Sequence, residues 1–254
     1  MTIIVGIKCS DGALIATDTQ AEFGRGVSVK RLTANKIHYL LDRFAIGGAG
    51  TVAHIEKAVD AIEQGLRAGI KEKGGHLSKN ECINTLEKTV TAVHKEYNID
   101  RSRFLNDSRE REFFQPILIL CGVVSPDGEG EPCLLIVHPS GLVEHIHDYA
   151  TAGSGAAYAE LLLKNSYVPQ MKLSEAITAA VYTINEVKQI DPSCGGETKV
   201  ATVAAGKIKE LSGDEIKAIG ERSEKILGLI RNEITPKALR GEVDYARLEE
   251  ISKA

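Results

Sequence analysis

Tryptophan is absent from this sequence, and aromatic residues make up only 5% of its 254 positions. Stacking of nucleic-acid bases depends on exposed aromatic rings, so this shortage argues against base-stacking platforms and, similarly, against sugar-binding ones. An excess of positive charge is missing as well, since the formal net charge is −4. Because phosphate backbones are bound by clustered cations, we expect no nucleic-acid partner.

Long apolar runs and paired cysteines are also missing. No stretch of about 18 apolar residues occurs, which predicts no membrane span and no membrane partner. The five cysteines are scattered, odd in number and never spaced as C-x-x-C, so we expect neither a zinc site nor a disulfide framework. With no leader sequence expected ahead of residue 1, these features predict a reduced, cytoplasmic setting. The cysteines are Cys9, Cys82, Cys121, Cys133 and Cys194.

Two histidines give the sequence a single weak indication of metal binding. His145 and His147 have the spacing that places two side chains on one face of a strand. No third ligand stands at a matching spacing, whereas protein metal sites generally use three or four ligands. We therefore expect neither a metal nor another cofactor.

The first eighteen residues have the pattern of a β-hairpin. An apolar run opens at Thr2, residues 10–12 read Ser-Asp-Gly, and a second apolar run covers residues 13–16. Two short β-rich runs around a glycine-containing turn are typical of a hairpin. Folding the chain back at this turn brings Thr2 and Asp18 to the same open end.

Thr2 has a possible catalytic chemistry. Removal of Met1, which a small second residue usually permits, would leave Thr2 with a free α-amine whose unperturbed pKa is about 7.7–8.0. That amine can act as the base for the hydroxyl of the same residue, and a threonine activated in this way is a recognised nucleophile. Threonine is also a good strand former, so Thr2 taken alone fits an ordinary edge strand too.

The rest of the chain alternates blocks of strands with helices. Strands are predicted over residues 2–50, 115–150 and 198–211, with a glycine-rich loop at 21–26 and an exposed charged loop at 100–113. Apolar residues recurring every three or four positions mark the helices between them, and Ser78 with Glu81 has the spacing of a capping box at the start of the second helix. The predicted helices cover residues 52–70, 78–97, 158–163, 174–190 and 212–232, with one more over 236–254.

This order of elements predicts an α+β fold. Blocks of hairpin-connected strands separated by helix pairs indicate antiparallel sheets with the helices outside them. We predict four layers, in which two stacked, mainly antiparallel sheets lie between helical layers (αββα). No boundary divides the chain, so residues 1–254 are expected to form a single domain with a C-terminal helical extension from about residue 212.

Several motifs resemble those of proteasome β-subunits and HslV-type peptidases, which are N-terminal nucleophile (threonine) hydrolases with an αββα fold. The resemblance runs from Thr2 to about residue 211, and it rests on the type, order and spacing of short stretches. These are Thr-Ile-Ile-Val-Gly-Ile at 2–7, Ala-Thr-Asp at 16–18, Lys-Ile at 36–37, Ala-Gly at 49–50, Gly-Ser-Gly at 153–155 and Asp-Pro-Ser-Cys-Gly-Gly at 191–196.

The resemblance implies a catalytic role for the residues nearest the nucleophile. Thr2 would attack the scissile carbonyl, and Lys36 would lower the pKa of its hydroxyl and relay its proton. A free lysine has a pKa near 10.4, which burial would lower toward neutrality. Asp18 would orient Lys36, and the Gly50 N–H would stabilise the oxyanion. In isolation Lys36 also fits a solvated strand charge and Asp18 a turn former.

The resemblance also implies supporting and substrate-binding residues. Ser154 and Asp191 would hold the amine and the catalytic water. Cys194 stands where the family usually has a serine, and Ser193 is beside it, so a shift by one position would restore a hydroxyl. Three further residues would lie near the pocket for the side chain that precedes the cut, and their small size suggests a roomy apolar pocket, although they fit plain packing roles equally well. These three are Ala21, Gly48 and Val52.

The function implied is that of a threonine endopeptidase acting on peptides or unfolded proteins. By the same resemblance it would work in a homo-oligomeric ring, with an α-type ring or an ATPase unfoldase as a possible partner. Two alternatives stay open. The chain could be an amidase or peptide ligase that uses the same Thr2, or a non-catalytic structural subunit of a proteasome-like ring.

Overall fold

The computed structural model describes residues 2–23, 30–100, 115–124 and 130–229, together with 232, 235, 236 and 240. Twelve strands and five α-helices lie within these ranges. The strands are β1 (Ile3–Lys8), β2 (Ala13–Asp18), β3 (Gln20–Phe23), β4 (Lys30–Thr33), β5 (Ile37–Leu40), β6 (Phe44–Ala49), β7 (Ile117–Val124), β8 (Glu131–Val137), β9 (Val143–Ile146), β10 (Tyr149–Gly153), β11 (Thr198–Ala204) and β12 (Lys207–Glu210). The helices are α1 (Val52–Glu72), α2 (Lys79–His94), α3 (Ala156–Ser166), α4 (Leu173–Ile190) and α5 (Gly213–Leu229).

Two five-stranded antiparallel sheets form the centre of the molecule. The first has the strand order β10-β1-β2-β11-β12, and the second has the order β5-β6-β7-β8-β9. A separate two-stranded ribbon, β3-β4, connects them along the chain. In the first sheet β1 and β2 are the predicted hairpin, and the Cys9 N–H donates to the Gly12 carbonyl at 2.8 Å across the turn.

Side chains of β1 show how the layers are built, because they alternate between two apolar clusters. Ile3, Val5 and Ile7 belong to a cluster with the inner faces of α3, α4 and α5. Ile4 belongs to a second cluster, which lies between the two sheets and includes Ile119 of β7. A third cluster joins the second sheet to α1 and α2. The predicted αββα arrangement is therefore confirmed.

The helices follow local signals that the sequence carries. Ser78 and Glu81 form the predicted capping box of α2, with the Glu81 N–H donating to the Ser78 hydroxyl at 3.3 Å and the Ser78 N–H to the Glu81 carboxylate at 3.0 Å. A short π-helix over Lys95–Asp100 follows α2, so the α-helical part ends earlier than predicted. The predicted C-terminal extension begins with α5, whose Ile216 packs into the cluster shared with α4.

Two sequence predictions need correction, and two others fall almost wholly outside the described residues. The end of the strand block predicted at 115–150 is divided between the sheets, with β9 in the second sheet and β10 in the first. Part of the predicted glycine-rich loop is strand β3, which pairs with β4. The loop predicted at 100–113 and the helix predicted at 236–254 lie almost wholly outside the described residues. No helix among those described is both long and apolar enough for a membrane crossing.

Candidate active site

Thr2 lies at the open end of the β1-β2 hairpin, where it is 7% exposed. Its N–H donates to the Ser154 hydroxyl at 3.2 Å, and its carbonyl accepts from the Gly155 N–H at 3.3 Å. Gly153 has a φ of +100°, and a Cβ there would lie 2.1 Å from the Thr2 carbonyl oxygen. A side chain at position 153 would therefore clash with the backbone of Thr2, which explains the glycine at this position.

A chain of hydrogen bonds leads from Thr2 to a carboxylate. The Ser193 hydroxyl donates to Asp191 Oδ1 at 2.6 Å, and it lies 2.9 Å from the Ser154 hydroxyl. Because the one proton of Ser193 is used on Asp191, Ser154 is the donor in the contact between the two serines, which at 2.9 Å is shorter than its alternative bond to the Thr2 carbonyl at 3.3 Å. The order of donation is therefore from Thr2 N to Ser154, to Ser193 and to Asp191.

Asp18 lies on the other side of Thr2 and is fully buried at the end of β2. Its Oδ1 accepts from Lys36 Nζ at 2.6 Å and from the Ile3 N–H at 3.1 Å, while its Oδ2 accepts from the Gly195 N–H at 3.0 Å. A buried carboxylate is stable only when paired and hydrogen-bonded, and Asp18 has both kinds of partner. These three bonds hold the Asp18 carboxylate next to the Thr2–Ile3 peptide, whose N–H is one of the donors.

Lys36 is also buried, at 8% exposure, just before β5. Burial lowers the pKa of its ammonium group from the ordinary value, and the Asp18 carboxylate opposes this by favouring the charged form. The direction agrees with the lowering that the sequence led us to expect. Lys36 and Thr2 line the same cavity, so a lysine of lowered pKa faces the candidate nucleophile.

Gly50 follows the last residue of β6 and opens toward this cavity. Its φ is +139°, and a Cβ there would lie 3.1 Å from Pro116 Cα. Both facts favour glycine, because other residues rarely adopt this conformation. The glycine that the resemblance assigns to the oxyanion therefore lies in this cavity, at a position whose backbone conformation favours glycine.

The cavity beside Thr2 has a volume of about 100 Å³. Ala21, Gly48 and Val52 all line it, as the resemblance implied. Its character differs from the roomy apolar pocket suggested by those three residues, because His38 and Glu56 also line it. Burial lowers the pKa of His38, which favours a neutral ring beside the Glu56 carboxylate.

Cys194 and Ser193 both contact the Asp191 carboxylate. Cys194 Sγ lies 3.6 Å from Asp191 Oδ2 and 3.9 Å from the Ser154 hydroxyl, both longer than the contacts of Ser193. Burial raises the pKa of the Cys194 thiol to about 11, so it stays protonated near neutral pH. Ser193, adjacent in sequence, supplies the hydroxyl of the hydrogen-bond chain. Its position beside Cys194 in the Asp-Pro-Ser-Cys stretch was the available signal.

The two histidines first considered as a metal clue lie away from this site. His145 and His147 have ring centroids 4.3 Å apart in an edge-to-face arrangement. Burial, with nearby positive charge, lowers the pKa of His145 to about 4. Within the described residues, no three of the side chains that commonly bind metals come together in a group that could hold an ion.

Comparison with known proteins places this geometry in context. The model of the proteasome subunit family matches residues 2–203. Proteasome subunit beta 2 of Pyrococcus abyssi is 28% identical over 218 residues, which span 86% of this chain and 94% of that protein. Proteasome subunit beta of Ferroglobus placidus is 28% identical over 221 residues, spanning 87% and 95%. Proteasome subunit beta 1 of Thermococcus kodakarensis is 28% identical over 220 residues, spanning 87% and 97%.

Proposed function

The chain belongs to the proteasome subunit family, as a β-type N-terminal nucleophile hydrolase, and we propose that it is a threonine endopeptidase with Thr2 as its nucleophile. Its substrates would be peptides or unfolded proteins. The observation that carries the proposal is the double support of Thr2, by the hydrogen-bond chain that ends at Asp191 and by the buried pair of Asp18 and Lys36.

In the first half of the reaction Thr2 would become acylated. Once Met1 is removed, the Thr2 hydroxyl proton passes to the α-amine while the hydroxyl oxygen attacks the peptide carbonyl. The Lys36 ammonium favours this ionisation through its positive charge, and the Gly50 N–H stabilises the oxyanion, a contribution of roughly 3–4 kcal/mol for one donor. The carbon–nitrogen bond then breaks, the leaving amine takes the proton, and an ester forms on Thr2.

In the second half water would release the product. The α-amine of Thr2 accepts a proton from water, and the resulting hydroxide attacks the ester carbonyl. The carbon–oxygen bond to Thr2 breaks, the hydroxyl regains its proton, and the new product ends in a carboxylic acid. During both halves the protonated amine is stabilised by Ser154, whose position is held through Ser193 by the Asp191 carboxylate.

The test begins with the intact mass of the purified chain, before and after an epoxyketone inhibitor. We expect Met1 to be absent and one inhibitor to add per chain. Thr2→Ala should abolish both labelling and cleavage of fluorogenic peptides, because no hydroxyl remains. Thr2→Ser is the matched control, since it retains a hydroxyl and should keep measurable activity.

The same preparation separates the alternatives. Retained Met1 with no labelling would support the structural-subunit hypothesis and overturn the proposal. Labelling at Thr2 accompanied by transfer of the acyl group to added amines, without hydrolysis, would support a peptide ligase instead. Labelling accompanied by hydrolysis of simple amides but not of peptides would support an amidase. Product masses distinguish these outcomes, since hydrolysis adds the elements of water and ligation adds the amine.

We also propose that residues 1–254 form one domain and assemble into a homo-oligomeric ring, since the relatives named above are proteasome β-subunits. An α-type ring or an ATPase unfoldase would be the partner that feeds such a ring. Several large apolar side chains are exposed on the outer helices, and an assembly would cover them. They include Tyr158 and Leu161 of α3 and Ile226 of α5. Native mass spectrometry would give the subunit number.

A further inference from the structure

Lys188, in the last turn of α4, lies close to the active-site loop without touching the cavity. Its side chain is partly buried, and its Nζ donates to the Gly196 carbonyl at 3.2 Å and to the Thr198 hydroxyl at 2.7 Å. The Thr198 hydroxyl in turn donates to Asn185 Oδ1 at 2.8 Å, one turn earlier on α4. These bonds join the end of α4 to the loop that follows Cys194.

The opposite side of the same loop is bonded to Asp18 and Gln20, at the end of β2 and the start of β3. The Gly195 N–H donates to Asp18 Oδ2 at 3.0 Å, and the Gly195 carbonyl accepts from the Gln20 N–H at 2.9 Å. Gly196 has a φ of +73°, a conformation that glycine tolerates and that needs surrounding contacts to persist. The loop is thus held from one side by Asp18 and from the other by Lys188.

We propose that Lys188 is a positioning residue, which holds the Gly196 carbonyl so that the N–H of the neighbouring Gly195 fixes the Asp18 carboxylate toward Lys36. This inference rests on the proposed function, because it concerns the geometry of the pair beside Thr2. Thr198 lies opposite Asp18 in the β2-β11 ladder, so the bond from Lys188 reaches the sheet at the level of the site.

The electrostatic setting agrees with this role. Burial lowers the pKa of Lys188, while the carboxylates of Asp18 and Glu197 favour its charged form. Partial burial of a cation is unfavourable unless it is bonded, and the two hydrogen bonds of Lys188 described above go to the loop and to the strand that follows it. Lys199 is a useful contrast, because it pairs at 3.6 Å with Glu197 and at 3.8 Å with Glu210 at the surface.

The test compares Lys188→Met with Lys199→Met, two changes that remove a nearby lysine charge. We expect Lys188→Met to lower kcat about tenfold, the size of one lost hydrogen bond to a charged group, with KM within about twofold. The KM should hold because the residues that line the cavity lie elsewhere, at Thr2, on β3, β5, β6 and α1, and in the segments beside β5 and β6. Lys199→Met should leave both constants nearly unchanged. Lys188→Arg keeps the cation and its donors, and it should recover most of the lost kcat.

Rates are to be expressed per chain labelled by the epoxyketone, so that unfolded material does not count. Thr198→Val against Thr198→Ser gives a second pair, in which only valine removes the hydroxyl that accepts from Lys188. If Lys188→Met lowers the melting temperature but leaves kcat per labelled chain unchanged, the role is structural and the inference is overturned. If wild type is not labelled at all, the proposed function fails first. If Lys188→Met does not fold, the Thr198 pair decides by the same criterion.

Discussion

At Asp18 a single buried carboxylate accepts from three donors that come from distant parts of the chain. Lys36 precedes β5, Ile3 begins β1, and Gly195 lies after α4. The Asp18 carboxylate in turn favours the charged form of the buried Lys36. Removing any one donor would alter the other two contacts, because all three act on the same two oxygens.

Ser193 is the residue at which the hydrogen-bond chain can be tested most directly. Ser193→Ala removes both its bond to Asp191 and its acceptance from Ser154, so the amine of Thr2 loses indirect support from a carboxylate. We expect kcat to fall about tenfold or more, since hydrogen bonds to charged groups contribute about 1.5–3 kcal/mol. Steady-state cleavage of a fluorogenic peptide gives the value.

Cys194→Ala is the matched variant for that prediction. The thiol makes longer contacts than the neighbouring hydroxyl and is protonated near neutral pH, so we expect a smaller loss than for Ser193→Ala. A larger loss for Cys194→Ala would return the supporting role to the position that the family resemblance implied.

Helix α1 and strand β6 together form one wall of the cavity beside Thr2. A Cβ on Gly48 would lie 2.4 Å from Ile55 Cγ2, so the absence of a side chain lets α1 pack directly on β6. The close approach places Val52, Ile55 and Glu56, spaced three and four positions along one helical face, at the cavity. Gly48 thus sets the distance between α1 and β6, and α1 supplies two apolar side chains and one carboxylate to the cavity wall.

Under the proposed function, we expect the Glu56 carboxylate on this wall to favour a basic side chain before the cleaved bond. Glu56→Gln should lower the ratio of kcat/KM for an arginine peptide to that for a leucine peptide by up to about fivefold, because exposed charge pairs contribute at most about 1 kcal/mol. Glu63→Gln, which changes a carboxylate two turns further along α1 that pairs with Arg67, is the control. An unchanged ratio in Glu56→Gln would show that Glu56 does not contact the substrate.

The whole molecule depends on the close contact of its two sheets. Gly6 of β1 faces the second sheet, and a Cβ there would lie 2.7 Å from Ile119 Cγ2 and 2.8 Å from a Leu134 methyl carbon. Gly47 of β6 approaches from the other side, where a Cβ would lie 2.9 Å from Ile4 Cγ2. The two sheets, one beginning next to Thr2 and the other ending next to Gly50, are therefore tightly packed against each other at Gly6 and Gly47.

Gly6→Ala tests this packing. The added methyl must displace Ile119 and Leu134, so we expect a loss of about 1–3 kcal/mol in the free energy of unfolding. Gly228→Ala in α5 is the control, because nothing lies within 4 Å of its added Cβ and alanine favours the helix by about 0.5 kcal/mol. Chemical denaturation of both variants gives the comparison, and equal stability of the two would contradict tight packing between the sheets.

Much of the fold was determined by signals that act over a few residues. The Ser-Asp-Gly turn with its flanking apolar runs predicted the β1-β2 hairpin, and the Ser78–Glu81 spacing predicted the start of α2. Helix α1 was found within two residues at its end, since its apolar stripe repeats over 21 residues. Turns, helix caps and apolar periodicity depend on interactions between residues a few positions apart, so they can be predicted from the sequence alone.

Tertiary structure alone decided which distant residues meet. The chain crosses from the second sheet to the first between β9 and β10, although the local pattern on both sides is the same, because strand partners are chosen by packing between layers. The choice of Ser193 over Cys194, the contact of Lys188 with the loop, and the polar character given to the cavity by Glu56 have the same origin. Each depends on distances set between elements far apart in the chain, which no local pattern of residues specifies.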